Sequence, residues 1–158
     1  MNIHRSNMHY NFDYEISNDN NIFLAGPTLR PKHQNLFTSW RDVAIKIFEK
    51  KEFSGELYLP EPFAITYENQ VLWEEKRLEA SEVILFWVPR ELTILPAFTT
   101  NVEFGEWMKS GKVVLGYPKD ASNMGYLQWK ADKYGISVSD TLEGTIELAL
   151  GMIRKEKK

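Results

Sequence analysis

Glu103, in the stretch from Thr99 to Gly105, is the carboxylate of this sequence that is best placed to do chemistry. A helix predicted from about Asn101 to Lys109 puts Glu103 in its first turn, where the helix N-terminus favours an ionised carboxylate. An ionised carboxylate can act as a nucleophile and attack an electrophilic carbon such as an anomeric centre.

The same stretch also fits a purely structural role. Thr100 and Glu103 have the spacing of a capping box, in which the glutamate bonds back to a backbone N–H at the helix start. Gly105 favours the chemical role, because a glycine inside a helix costs up to about 1 kcal/mol relative to alanine and indicates that something packs closely there. The spacing leaves both roles open.

Glu74 is the second candidate carboxylate. Gln70, Trp73 and Glu74 follow the i, i+3, i+4 spacing of neighbouring positions on one helix face, so they can act together on a ligand. A partly solvated helix surface is the more ordinary explanation of the same pattern.

The loop after the first predicted strand contains Gly26, Pro27, Thr28 and Arg30. Gly26 permits close approach of another backbone, and Arg30 offers a planar guanidinium to an anion. These residues predict a cradle for a ribose or a phosphate. A tight turn with a solvated arginine is the alternative.

Arg90 and Glu91 follow the most apolar strand of the chain, predicted over Val83–Val88. Polar residues at the end of such a strand lie where ligand sites form in open α/β sheets. We expect Arg90 to hold an anion or to orient Glu103. An ion pair between Arg90 and Glu91 at the rim is the alternative.

Composition excludes several classes of function. The net charge of -3, from 19 basic and 22 acidic residues, provides no broad positive field for nucleic acid. The chain has no cysteine, and its three histidines, His4, His9 and His33, lack metal-ligand spacing, so we expect neither a metal nor another cofactor. No apolar run approaches the roughly 20 residues of a membrane span, and the start of the chain does not resemble a secretion signal. We therefore expect a cytoplasmic protein.

Apolar segments of strand length alternate with segments of helical periodicity, a pattern typical of βαβ units. The prediction is a single α/β domain over residues 21–158, a three-layer sandwich with a five-stranded, mainly parallel sheet. Residues 1–20 are predicted to be a polar N-terminal arm. The predicted strands are Asn21–Ala25, Glu56–Leu59, Val83–Val88, Lys112–Leu115 and Ile136–Val138, and the predicted helices are Phe37–Lys50, Tyr67–Ala80, Asn101–Lys109, Met124–Tyr134 and Thr141–Lys155.

Seven short motifs, in this order and spacing, resemble the nucleoside 2-deoxyribosyltransferase-like proteins over roughly Ile22 to Leu127. They are Phe23–Thr28, Ser39–Arg41, Pro60–Pro62, Gln70–Glu74, Ile84–Arg90, Thr99–Gly105 and Ser110–Lys112. The resemblance implies a flavodoxin-like, Rossmann-like fold and a nucleophilic glutamate matching Glu103. It implies an assisting acid that corresponds to Glu74, and a homo-oligomer in which a neighbouring subunit helps to build the site. The chain departs from the characterised transferases in having Pro27 and Thr28 in the first loop, and Arg90 and Glu91 after the central strand.

The resulting hypothesis is an enzyme that cleaves or transfers the N-glycosidic bond of a nucleoside or nucleotide with retention of configuration. Glu103 attacks C1′, Glu74 or Glu91 protonates the departing base, and Thr100 helps to bind the substrate. Arg30, Arg41 or Arg90 is expected to hold a 5′-phosphate if the substrate carries one. Two alternatives are an N-hydrolase that uses water as acceptor and a non-catalytic nucleotide-binding module.

Overall fold

A parallel β-sheet forms the centre of the computed structural model, which describes residues 1–7, 20–62 and 66–156. Its six strands, within those residues, pair in parallel throughout. They are β1 (Asn2–Arg5), β2 (Asn21–Ala25), β3 (Glu56–Leu59), β4 (Val83–Trp87), β5 (Val113–Gly116) and β6 (Val138–Ser139).

Five α-helices connect or follow the strands in the described part of the chain. They are α1 (Trp40–Lys50), α2 (Tyr67–Ala80), α3 (Phe98–Trp107), α4 (Gly125–Tyr134) and α5 (Leu142–Glu156). Local residues set several of the ends. Ser39 and Thr66 cap α1 and α2 by accepting bonds from the amides of Arg41 and Asn69, and Gly135 ends α4 in the left-handed conformation that glycine adopts freely.

Alternate side chains of the strands pack on opposite faces of the sheet. On β2, Ile22 and Leu24 join a core beneath α1 and α5, whereas Phe23 and Ala25 join a core beneath α2, α3 and α4. Both faces are therefore covered, which explains why Val83–Trp87 is continuously apolar and fully buried. The predicted three-layer α/β sandwich is confirmed.

The strand order is β1-β3-β2-β4-β5-β6. Without β1, this is the order of a flavodoxin-like sheet, whose topological switch point lies between β2 and β4. Ligands in such folds bind outside the carboxyl ends of the strands at this point. The loops after Ala25 and Trp87 therefore define where a site is expected.

Residues 2–5 correct the predicted five-stranded sheet and the predicted arm. They form β1, which adds a sixth strand by pairing with β3 from Asn2 against Glu56 to Arg5 against Leu59. The polar sequence concealed this strand, because an edge strand is buried on fewer sides than a central one. Residues 8–19, the rest of the predicted arm, lie outside the described residues.

Two helix starts also differ from the prediction. α1 begins at Trp40 and not at Phe37, whose side chain is 48% exposed. α3 begins at Phe98, about three residues before the predicted start at Asn101. The remaining predicted elements are present, with ends that are either the same as predicted or shifted by one or two residues.

Gly26 is required by the way β2 and β4 meet at the switch point. Its φ angle is +146°, and a Cβ atom there would lie 2.2 Å from the carbonyl oxygen of Trp87 and 2.9 Å from Cζ2 of Trp40. Only a residue without a side chain fits such an approach of two backbones. The close approach expected at Gly26 is thus observed, and the backbone that approaches is that of the end of β4.

We expect Gly26→Ala to lower the free energy of unfolding by at least about 1–3 kcal/mol, because the new methyl group forces apart two strands of a packed core. Gly105→Ala is the matched control: a Cβ at Gly105 meets nothing within 4 Å. Since Gly105 lies inside α3, that variant should be unchanged or more stable by up to about 1 kcal/mol. Urea denaturation of both variants checks the pair, and equal stabilities would contradict the packing described for Gly26.

Candidate active site

A cavity of about 430 Å³ opens at the switch point, and both Glu103 and Glu74 line it. It lies between the loop after β2, the end of β3, α2, the end of the loop after β4 and the first three turns of α3. Other residues predicted to bind substrate also line it: Gly26, Pro27, Thr28, Arg30 and Thr100. The topology thus brings together residues that are up to 77 positions apart in the sequence.

Glu103 takes no part in a capping box. Ala97, in the left-handed conformation, precedes α3, and no side chain caps the helix. Thr100 is the third residue of α3 and is buried, while Glu103 is the sixth and lies in the second turn. The structural alternative offered by the sequence is therefore wrong, because the helix starts too early for the Thr100–Glu103 pair to sit at its end.

The electrostatic surroundings of Glu103 also differ from the expectation. Burial, followed by the like charge of Glu74, raises the pKa of Glu103 to about 8, and the guanidinium of Arg41 opposes this rise. The sequence predicted a carboxylate held ionised by the helix N-terminus. One turn further into the helix, the favourable dipole is weaker and desolvation dominates.

Glu74 shares the cavity from the side of α2. Its Oε1 accepts a hydrogen bond of 2.5 Å from Nε2 of Gln70. The same Nε2 also donates a hydrogen bond of 3.1 Å to the carbonyl of Pro60. Burial raises the pKa of Glu74, while the bond from Gln70 and the charge of Arg41 act against the rise. The i, i+4 pair predicted from the sequence is therefore present, and it is built into a cavity wall.

Arg41 does not contact the cavity, contrary to its predicted role as a phosphate ligand. Its side chain is 0% exposed and forms an ion pair of 3.0 Å with the Glu61 carboxylate. It also donates to the carbonyls of Leu24 and Gly26 at 3.0 and 2.7 Å and to Oγ1 of Thr28 at 3.0 Å. Arg41 therefore binds the loop after β2 and the loop after β3 from beneath.

Arg90 and Glu91 do not line the cavity of Glu103 either. Arg90 is buried and donates to the carbonyl of Asn123 at 3.0 Å and to the side chain of Asn101. Glu91 is exposed and accepts bonds from the amides of Thr93 and Ile94 in its own turn. No described contact pairs the two, so the predicted rim ion pair is absent among the described residues: Arg90 bonds to Asn101 and Asn123, whereas Glu91 bonds within its own turn.

Glu61 supports the loops around the candidate site, a role that our sequence reasoning did not assign. It is buried, pairs with Arg41 and accepts a short bond from Oγ of Ser39, the residue that caps α1. Two adjacent prolines marked its loop as a turn, but pairing between an arginine and a glutamate twenty residues apart has no local signature.

The described residues contain no group of three or more His, Asp or Glu side chains placed to hold a metal ion. His9, one of the three histidines considered for such a role, lies outside the described residues. No described helix has both the length and the apolar character needed to cross a membrane.

A flavodoxin-like sheet with two half-buried carboxylates lining one cavity at its switch point defines an α/β protein with an acidic candidate site. The profile of the family described as "Nucleoside 2-deoxyribosyltransferase like" matches residues 19–121, which include Gly26, Glu74 and Glu103. The chain belongs to the nucleoside 2-deoxyribosyltransferase-like family, and this membership supports a function in glycosyl transfer on nucleosides. A comparison with curated proteins gave no match.

We expect Arg41→Met to lower the free energy of unfolding by about 3–5 kcal/mol, because it leaves the Glu61 carboxylate buried without its cation. The double variant Arg41→Met, Glu61→Gln should recover part of this loss, since no uncompensated charge then remains. Denaturation of the wild-type protein, Arg41→Met, Glu61→Gln and the double variant completes the double-mutant cycle. Additive losses would contradict a direct pairing of the two side chains.

Proposed function

We propose that the protein cleaves the N-glycosidic bond of a nucleoside through Glu103 as nucleophile, and passes the sugar to a second base or to water. The observation that carries the proposal is that Glu103 and Glu74 face one cavity at the switch point. Burial raises the pKa values of both carboxyl groups, and the charge of Glu74 raises that of Glu103 further, which is an arrangement expected of a nucleophile and its partner acid.

The first step breaks the bond between C1′ and the base nitrogen. An oxygen of ionised Glu103 forms a bond to C1′, and the base leaves with the electron pair of the broken bond and takes a proton from Glu74. The second step reverses the roles. A nitrogen of an incoming base, or a water oxygen, attacks C1′ and releases Glu103, while Glu74 accepts the proton of the attacking group. The sequence of steps needs no cofactor.

The two carboxyl groups hold one proton between them in the reactive form. Two adjacent carboxylates in a desolvated cavity do not both ionise easily, and the raised pKa of Glu103 reflects this. The charge of Arg41 favours the ionised form of either group, because it acts to lower both pKa values. The proposed first step requires this proton to lie on Glu74 when Glu103 attacks.

The charges of the cavity favour a nucleoside over a nucleotide. Among its described lining residues, Arg30 is the single cation, and it is exposed at the rim. The carboxylates of Glu75 and Glu106 line the cavity in addition to the two central ones. A dianionic 5′-phosphate would meet predominantly negative charge, so we propose an unphosphorylated substrate.

We expect Glu103→Ala to abolish product formation while the fold is retained. A panel of nucleosides and their 5′-monophosphates, each incubated with and without a second free base, is followed by chromatography. Nucleosides should give the higher kcat/KM, and the exchange product should appear only with the second base. The exposed Glu79→Gln, on α2 but outside the cavity, removes the same charge and serves as control.

Near-normal turnover by Glu103→Ala would contradict the assignment of the nucleophile. Free sugar formed at the same rate with or without a second base would identify water as the acceptor. Stable binding of nucleosides by the wild-type protein without any product would show a binding module. A rapid-quench mass spectrum adds a direct test, because one sugar should be attached to the wild-type chain and none to Glu103→Gln.

The kcat/KM of the wild-type protein should fall as the pH rises through about 8, because the pair then loses its last proton and Glu74 can no longer act as acid. In Glu74→Gln the like charge is gone, so the pKa of Glu103 should decrease. This variant lacks the acid and should be slower than the wild type. Its kcat/KM should increase with rising pH and then reach a plateau. A wild-type rate that increases through pH 8 would contradict the shared proton.

A further inference from the structure

A second cavity, of about 410 Å³, uses the other face of α3. Asn101, Gly105 and Met108 line it, whereas Thr99 and Glu103 line the candidate active site. The two sets lie on opposite sides of the helix by the i, i+3, i+4 rule. The second cavity extends between α3, the loop after β4 and the start of α4.

Arg90 lines this cavity as a buried cation without a counter-ion. Its side chain is 6% exposed, and its two hydrogen bonds go to neutral groups, the carbonyl of Asn123 and the side-chain oxygen of Asn101. Its Nε is buried and has no hydrogen-bond partner among the described residues. No carboxylate of the described residues forms an ion pair with it, and burial lowers its pKa without an opposing anion. An unpaired buried charge is costly, so an anion in contact with Arg90 is favoured.

The rest of the lining also favours an anion. Lys130 provides a second cation, and the described lining contains no aspartate or glutamate. No described carboxylate forms a salt bridge with Lys130, whose ammonium lies 5.2 Å from the ring centre of Tyr126. The cavity also meets the start of α4, where no side chain caps the helix and the first amides favour negative charge.

The remaining walls are apolar and leave room for a flat ring. Gly105 contributes no side chain, and a Cβ there would meet nothing within 4 Å. This space corrects the expectation that Gly105 marks close packing. The apolar and aromatic lining consists of Leu92, Pro96, Phe98, Phe104, Met108, Tyr126 and Leu127.

We propose that the second cavity binds a small aromatic anion, a flat apolar ring bearing one carboxylate or phosphate group. The anionic group pairs with Arg90 and Lys130, and the ring packs between the aromatic walls of α3 and α4. Glu103 is not part of this site. Because Asn101 holds Arg90 and belongs to α3, the bound ligand rests on the helix that carries the proposed nucleophile.

Calorimetry with benzoate, phenyl phosphate and benzyl alcohol tests the proposal on the full chain. The two anions should bind, and the neutral alcohol should bind at least about tenfold more weakly, because it lacks the charge-assisted bonds. The stronger of the two anions identifies the acidic group that the site prefers. Lys130→Gln should weaken anion binding by about tenfold, whereas Lys133→Gln, one turn along α4 and outside the cavity, should not.

Gly105→Leu places a side chain in the cavity and should abolish anion binding, while thermal denaturation verifies that it folds. This variant keeps the test valid if replacement of the buried Arg90 prevents folding. Unchanged binding in Gly105→Leu, or equal affinity for benzyl alcohol and benzoate, would overturn the proposal. A third outcome would also overturn it: the wild type binds no anion, and Gly105→Leu changes the oligomeric state. The cavity would then be a contact between two copies of the chain.

Discussion

Arg41 donates hydrogen bonds to the carbonyls of Leu24 and Gly26 and pairs with Glu61, although none of its side chain reaches solvent. A guanidinium so buried is tolerated because carbonyl and carboxylate oxygens surround it. The arrangement fixes the loop after β2 against the loop after β3, so it shapes one wall of the cavity. The same charge opposes the rise in the pKa of Glu103, so Arg41 contributes to both the geometry and the electrostatics of the candidate site.

The helix α3 separates two cavities of opposite character. On one side, Glu103 faces a space that is also lined by the carboxylates of Glu74, Glu75 and Glu106. On the other side, Arg90 and Lys130 face a space without any described carboxylate. The two cavities are separated because the helix has 3.6 residues per turn, so that neighbouring positions of α3 line different cavities. Phe98, at the start of the helix, lines both cavities.

The alternation of apolar segments predicted the sandwich, since a buried parallel strand such as Val83–Trp87 has a continuous apolar signature. The strand at Asn2–Arg5 was missed because its residues are polar and it pairs at the edge of the sheet. The start of α3 was misplaced because Thr100 resembles a cap, whereas Ala97 ends the loop without any side-chain signal. Arg41 was assigned to the substrate because the sequence does not reveal whether an arginine is buried.

The order and spacing of short motifs indicated the family, and the alternation of apolar segments indicated the α/β class. Residue type and local periodicity led to Glu103 and Glu74 as candidates, since all of these signals can be read from the chain itself. The tertiary structure decided which of these residues share a cavity. Only folding brings Gly26, Glu74 and Glu103 to one cavity at the edge of the sheet. It also places Arg41 and Arg90 outside that cavity. It also decided the charge of the site, because a pKa depends on burial and on neighbours distant in the chain.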